Sequence, residues 1–212
     1  MALRLITVPL TGFSSRQRAA AACAVLLSFD CFARGSDLIL AWASELMPPV
    51  SGMTGPLASC WSLTLYPSTA PRRSKTHVQD ETVKVGQTAN ARMWLNKICR
   101  PLLRMERKSL RLIDLDPAMY LKLFAHAAVA ALGHVTPHQL RHGGASADGA
   151  QMVSEAILMG RGKWADRRSV IRYMKPAVYV RRLARLSQPQ RVLANDAPAQ
   201  LLRTLPMMLS TE

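Results

Sequence analysis

The sequence predicts a mainly α-helical domain with a small antiparallel β-sheet, an α+β fold. Three observations predict it. Helix-forming stretches with marked starts recur along the chain, at Ser14, Ser36, Pro117 and Thr136. Strand-like patterning is confined to two short stretches, residues 61–66 and 82–85. Pro48, Pro49, Gly52, Gly55 and Pro56 break the chain just before the first of them.

Size and charge narrow the class. A chain of 212 residues suits one domain, or one domain with tails, and can bury a core. The hydrophobic share of 49% favours a globular protein over a disordered one. The formal net charge of +15 points to a polyanionic partner, nucleic acid before membrane. Cys23, Cys31, Cys60 and Cys99 form no Cys-x-x-Cys pair and have no His cluster beside them. They read as reduced, mostly buried thiols of an intracellular protein, without zinc. That means the nucleus in a eukaryote, or the cytoplasm and nucleoid in a bacterium. The apolar run at residues 19–29 is too short to span a bilayer, and Asp30 ends it. No signal peptide, transmembrane helix or internal repeat is read.

Taken in order, residues 1–13 form an irregular or extended leader. Residues 13–29 form an Ala- and Leu-rich helix with Ser14 or Ser15 near its cap. Ser36 caps a second helix running to about Leu46, and Asp37 favours its first turn. Arg34 stands just before that start. The basic segment Pro71-Arg72-Arg73-Ser74-Lys75-Thr76 lies between the two strands. A helix over residues 89–103 turns Trp94, Leu95 and Ile98 inward. Pro117 starts the next, with Met119, Leu123, Phe124 and Val129 on its apolar face. Gly133 stops it. Thr136 caps the following helix and Pro137 suits its first position. Short helices follow at residues 153–159 and 168–175, and another runs from Pro176 to about Leu186. Residues 187–212, with Pro189, Pro198 and Pro206, read as a loosely ordered tail.

The chemistry concentrates between Thr136 and Tyr173. His138 and Arg141 are three residues apart, so on a helix they share a face and can reach one anion together. Trp164 precedes Tyr173 by nine residues. From Arg161 to Arg191 there are ten Lys or Arg residues and one acid, Asp166. Gly160-Arg161-Gly162-Lys163 lacks the spacing and flanking strand of a phosphate-binding loop.

His-x-x-Arg followed by Trp and then Tyr resembles the catalytic domain of the tyrosine recombinases, the phage integrase family. Arg34-Gly35-Ser36-Asp37-Leu38 is similar to the family's first Arg box, with Asp for Glu. The resemblance covers residues 14–186. It implies site-specific DNA recombination or integration by strand breaking and rejoining, as in mobile elements. Tyr173 would be the nucleophile, forming a 3′-phosphotyrosyl intermediate without ATP. Arg34 and Arg141 would hold the phosphate oxygens, with His138 and the Trp164 indole beside them. A hairpin lysine would protonate the leaving 5′-oxygen; Lys75 is the candidate and Lys84 the competitor. Tyr179 competes with Tyr173. Arg72, Arg73, Arg161, Lys163, Arg167, Arg168 and Arg172 would touch DNA phosphates.

The implied partner is double-stranded DNA, with a homo-multimer on DNA as a further form. No cofactor, metal, membrane or small-molecule substrate is implied. Phe32-Ala33 departs from the Thr-Gly turn common before the first Arg. The family's N-terminal clamp domain finds no room in this reading, so the chain reads as a fragment or a mobile-element remnant. Two alternatives stand beside recombination: a type IB topoisomerase-like enzyme, and a DNA-binding remnant without catalysis.

Overall fold

Ser14 opens the helix around which the others pack. Its hydroxyl accepts from the Gln17 N–H at 3.1 Å, and Gln17 Oε1 accepts from the Ser14 N–H at 2.9 Å, closing a capping box. Helix α2 then runs Ser15–Asp30, with every residue from Ala19 to Val25 buried. A helix apolar on all sides belongs inside. The computed structural model describes residues 1–52, 60–67, 80–86, 93–104 and 111–210, apart from the side chains of 93, 104 and 130–132.

The irregular leader expected at the N-terminus is corrected. Residues Ala2–Thr7 form helix α1, which packs on α2 and buries Ala2, Leu3, Leu5 and Ile6. Arg18 of α2 fixes the turn between them by donating to the Val8 carbonyl at 2.9 Å.

Helix α3, Gly35–Leu40, is shorter than expected, because Ala41 and Trp42 turn extended and Trp42 bridges to Arg111. Three strands follow: β1 (Leu46–Met47), β2 (Trp61–Leu65) and β3 (Glu81–Val85). They form an antiparallel sheet in the order β1-β2-β3. Leu63 stands opposite Leu46 on one side and Val83 on the other. Trp61, Leu63, Leu65, Val83 and Val85 are buried, so one sheet face lies on the core.

Helix α4 (Asn96–Arg104) turns Leu95, at its entry, and Ile98 inward as expected. Asp116 caps α5 (Pro117–Leu132) by accepting from the Ala118 and Met119 N–H groups. Leu123 and Phe124 are buried there, but Val129 is 59% exposed, a correction to the expected apolar face. Next come α6 (His138–Ala150), α7 (Glu155–Gly162), α8 (Arg167–Tyr173) and α9 (Pro176–Ala184). Ser154 and Asp166 cap α7 and α8.

The expectation of a loosely ordered tail is also corrected. Residues Gln188–Ser210 form α10 despite Pro198 and Pro206 inside it. Leu201, Leu205, Met208 and Leu209 recur at helical spacing and are buried, and α10 packs on α1, α2 and α4. That contact offsets the backbone bonds the prolines forfeit. Among the described residues, no helix is long and apolar enough to cross a membrane.

Two features position the site. Helix α6 crosses α2 at Gly144, where an added Cβ would lie 2.0 Å from the Phe29 carbonyl oxygen. A second, smaller core of Phe32, Ala145, Leu158, Trp164 and Val170 lies beneath α7 and α8, with Tyr173 packed against it.

Candidate active site

Helix α6 brings His138, Arg141 and His142 to one face, since residues three and four apart are neighbours on a helix. The expected Thr136 cap is corrected: Pro137 is the N-cap, with no side-chain cap bond, and the Thr136 backbone N–H donates to Gln139 Oε1 at 2.7 Å. Tyr173 arrives from the last position of α8. Its hydroxyl lies 3.0 Å from His138 Nε2. Its ring stacks on His142 at 4.3 Å and on Trp164 at 4.9 Å, centroid to centroid. The buried Ser146 hydroxyl staples the backbone at this point: it donates to the Tyr173 carbonyl at 3.2 Å and accepts from the Lys175 N–H at 2.9 Å.

Arg141 is buried beneath the tyrosine. One terminal nitrogen donates to the Phe32 carbonyl at 2.7 Å and the other to the Gly162 carbonyl. Its guanidinium carbon lies 4.8 Å from the Trp164 ring centre and 5.4 Å from that of Tyr173. Burial lowers its pKa to about 10, and the nearby Arg34 charge adds to that shift, while Tyr173, Asp37 and Glu81 oppose it. The group stays cationic at neutral pH. Arg141 Nε and Trp164 Nε1 are buried donors with no hydrogen-bond partner among the described residues. Such donors cost free energy unless an acceptor reaches them.

The two carbonyls come from tight turns. Phe32 sits at φ 54° and Lys163 at φ 50°, in the left-handed region. Gly162 lies flat under the Trp164 ring, where an added Cβ would be 2.4 Å from the indole.

Arg34 precedes α3. Asp37 takes its backbone N–H at 3.1 Å and its guanidinium at 3.6 Å. Asp37 also accepts from the hydroxyl of Tyr66, just past the end of the central strand β2. Arg34, Arg141, Arg161 and Lys163 line one small cleft, with Asp37 and Glu81 at its wall. Arg34 and His138 also share the neighbouring cavity. Arg34, His138, Arg141, Trp164 and Tyr173 therefore come together.

Lys75, Arg72 and Arg73 lie outside the described residues. Lys84 is on β3, on the opposite face from Glu81 and Val83, which line the cleft. Arg168 and Arg172 are exposed on α8, and Arg167 is exposed but bonded to Glu155. Arg161, expected among the DNA-facing cations, is corrected: its side chain is 9% exposed and turned inward onto Asp148 and Asp30. Those acids lie 13 and 131 residues away in sequence, so the basic run around Arg161 gave no sign of them.

Tyr179 sits on α9 and borders a different cavity of about 370 Å³, shared with His142, Ser146, Tyr173, Lys175 and Arg182.

His142 was missed by the sequence reading. Its signal was present, four residues after His138 and so on the same face. Burial lowers its pKa, and the charges of Arg141 and Lys175 act the same way, while a hydrogen bond to the Tyr173 backbone opposes them. It stacks on the tyrosine mainly as a neutral ring at pH 7. Among the described residues no group of three His, Cys, Asp or Glu side chains could hold a metal ion. No protein-family model matches the chain, and no curated protein matches it.

Proposed function

We propose that this chain is a tyrosine recombinase-type domain that breaks and rejoins double-stranded DNA through Tyr173. The observation that carries the reading is the 3.0 Å approach of the Tyr173 hydroxyl to His138 Nε2. It occurs beside a buried, cationic Arg141 and two donors without partners among the described residues, Arg141 Nε and Trp164 Nε1. With the proton on Nδ1, His138 Nε2 accepts the phenolic proton as Tyr173 Oη attacks phosphorus. The P–O5′ bond breaks, leaving a 3′-phosphotyrosyl ester, and the 5′-oxygen takes a proton to leave as a hydroxyl. Lys75 is the proposed source of that proton.

Arg34, Arg141 and the Trp164 N–H would stabilise the charge that builds on the non-bridging oxygens. Trp164 offers a donor and no acceptor, so it suits that role and cannot act as a base. The ester conserves the energy of the broken linkage, so rejoining needs no nucleotide cofactor. Site-specific integration of a mobile element is the proposed setting, and the integrase-type catalytic fold is part of the same proposal.

One observation favours a second reading. Both terminal nitrogens of Arg141 are already engaged by carbonyls, so a phosphate would have to use its remaining N–H bonds. That suits a DNA-binding protein that has lost catalysis. A nicked suicide duplex separates the two. The enzyme accumulates a covalent protein–DNA adduct that Tyr173→Phe abolishes. The binder retains the duplex and forms none.

A further inference from the structure

We propose that Arg161 is a positioning residue that holds in place the two carbonyls that hold Arg141. The inference rests on the DNA-cleaving reading of the Tyr173 site. It starts from a buried ion network that spans four elements. Arg161 Nη1 donates to Asp148 Oδ2 of α6 at 2.7 Å. Its Nη2 donates to the Asp30 carbonyl at the end of α2 at 2.6 Å and lies 3.7 Å from Asp30 Oδ1. Asp30 Oδ2 in turn accepts from the Gly86 N–H just past β3 at 2.6 Å. Both carboxylates are fully buried.

The network bears on the site through its neighbours in sequence. Arg161 is bonded to Gly162, whose carbonyl accepts from Arg141. It grips Asp30, two residues before Phe32, whose carbonyl is the other acceptor. Its guanidinium carbon also lies 4.9 Å from the centre of the Phe32 ring, and that ring stacks on Trp164 at 5.8 Å. One guanidinium therefore fixes both turns that seat the second. The division of charge is also consistent. Arg161 meets two carboxylates, whereas the hydrogen bonds of Arg141 go to uncharged carbonyls, so Arg141 keeps its charge for an anion. A lysine cannot replace Arg161, because a point charge cannot bond Asp148 and the Asp30 carbonyl in one rigid fork.

The experiment uses the full chain with Arg161→Lys, and with Asp148→Asn as the second variant should the first not fold. Three quantities are measured: single-turnover cleavage of a nicked duplex, duplex affinity at fixed salt, and the indole NMR signals of the four tryptophans. We expect cleavage to fall at least tenfold while affinity stays within twofold. The Trp164 indole signal should move, with those of Trp42, Trp61 and Trp94 unchanged. Cleavage within twofold of wild type overturns the proposal, as does an unmoved Trp164 signal. An affinity loss matching the cleavage loss also overturns it, because Arg161 would then be a phosphate contact. Should the wild-type chain form no adduct, the DNA-cleaving reading fails by itself, and the Trp164 signal alone decides the positioning role.

Discussion

Arg141 donates to the carbonyl of Phe32 at 2.7 Å, joining residues 109 positions apart in sequence. The bond ties the helix bearing His138 to the turn that presents Arg34. It also gives Arg141 a structural role beside any contact with a phosphate.

Arg141→Ala should therefore cost stability as well as cleavage. Each hydrogen bond from a charged group contributes roughly 1.5–3 kcal/mol, and the orphaned carbonyls would be buried. Part of that gain offsets the cost of burying the charge, so a net loss of about 3 kcal/mol is expected by denaturant unfolding. Arg141→Lys should recover little of either property. A variant as stable as wild type would show that the two carbonyls find other partners at no cost.

Gly144→Ala tests the crossing of α6 over α2. A Cβ there would sit 2.0 Å from the Phe29 carbonyl oxygen, which is backbone and cannot swing away. Overpacking of this kind costs about 1–3 kcal/mol, and the helices must separate. Gly160→Ala is the control, with nothing within 4 Å of its added Cβ. Inside a helix that change should stabilise by about 0.5–1 kcal/mol. Thermal unfolding of the two variants should move in opposite directions.

How much of this was legible in the sequence depended on the range of the cause. The cap at Ser14, the helix start at Pro117 and the alternation of β2 and β3 are set within a few residues, and they were read close to where they lie. Helices α1 and α10 were missed because what holds them is distant: a six-residue helix and a proline-bearing one survive by docking on the core around α2. The His138, Arg141, Trp164 and Tyr173 spacing located four side chains that do meet. Spacing could not tell that Arg161 would turn inward. Its charge looked like that of Arg168 until Asp30 and Asp148 were brought beside it.

Binding to duplex DNA should be electrostatic and largely indifferent to sequence. The slope of log affinity against log salt should be steep, and each lost phosphate contact should reduce it by about 0.9. Arg168 and Arg172 are exposed on α8, so the Arg168→Ala, Arg172→Ala double variant should flatten the slope by up to about 1.8. An unchanged slope would remove α8 from the proposed DNA surface.

His142 predicts a pH dependence. Its pKa in the folded chain is lowered, while in the unfolded chain it is near ~6.5. Above that value both states are neutral and its contribution is complete. As pH falls through ~6.5 the unfolded chain takes up a proton first, so stability falls until the folded-state pKa is reached. His142→Gln should remove this part of the slope between neutral and mildly acid pH. NMR titration should find the wild-type ring half-protonated below ~6.5. A His142 pKa above that would reverse the sign and refute the argument.

Tyr173→Phe is the most direct test, because it removes the one atom on which the proposed chemistry turns. The ring would still stack on His142 and Trp164, so packing and DNA affinity should change little. What goes is the oxygen 3.0 Å from His138 Nε2, and with it any nucleophilic attack. On a nicked suicide duplex the wild-type chain should accumulate a covalent adduct and the Phe variant none. Tyr179→Phe should behave as wild type, since it is the Tyr173 hydroxyl that lies 3.0 Å from His138 Nε2 and the Tyr173 ring that sits 5.4 Å from the Arg141 guanidinium carbon. Peptide mapping of the trapped complex should find the nucleotide on Tyr173. A nucleotide on Tyr179, or an adduct that survives Tyr173→Phe, would refute the assignment even if the chain does cleave DNA. If His138 is the base, His138→Gln should slow adduct formation by about 10²–10⁴-fold without weakening binding, because it loses the proton acceptor but not the shape.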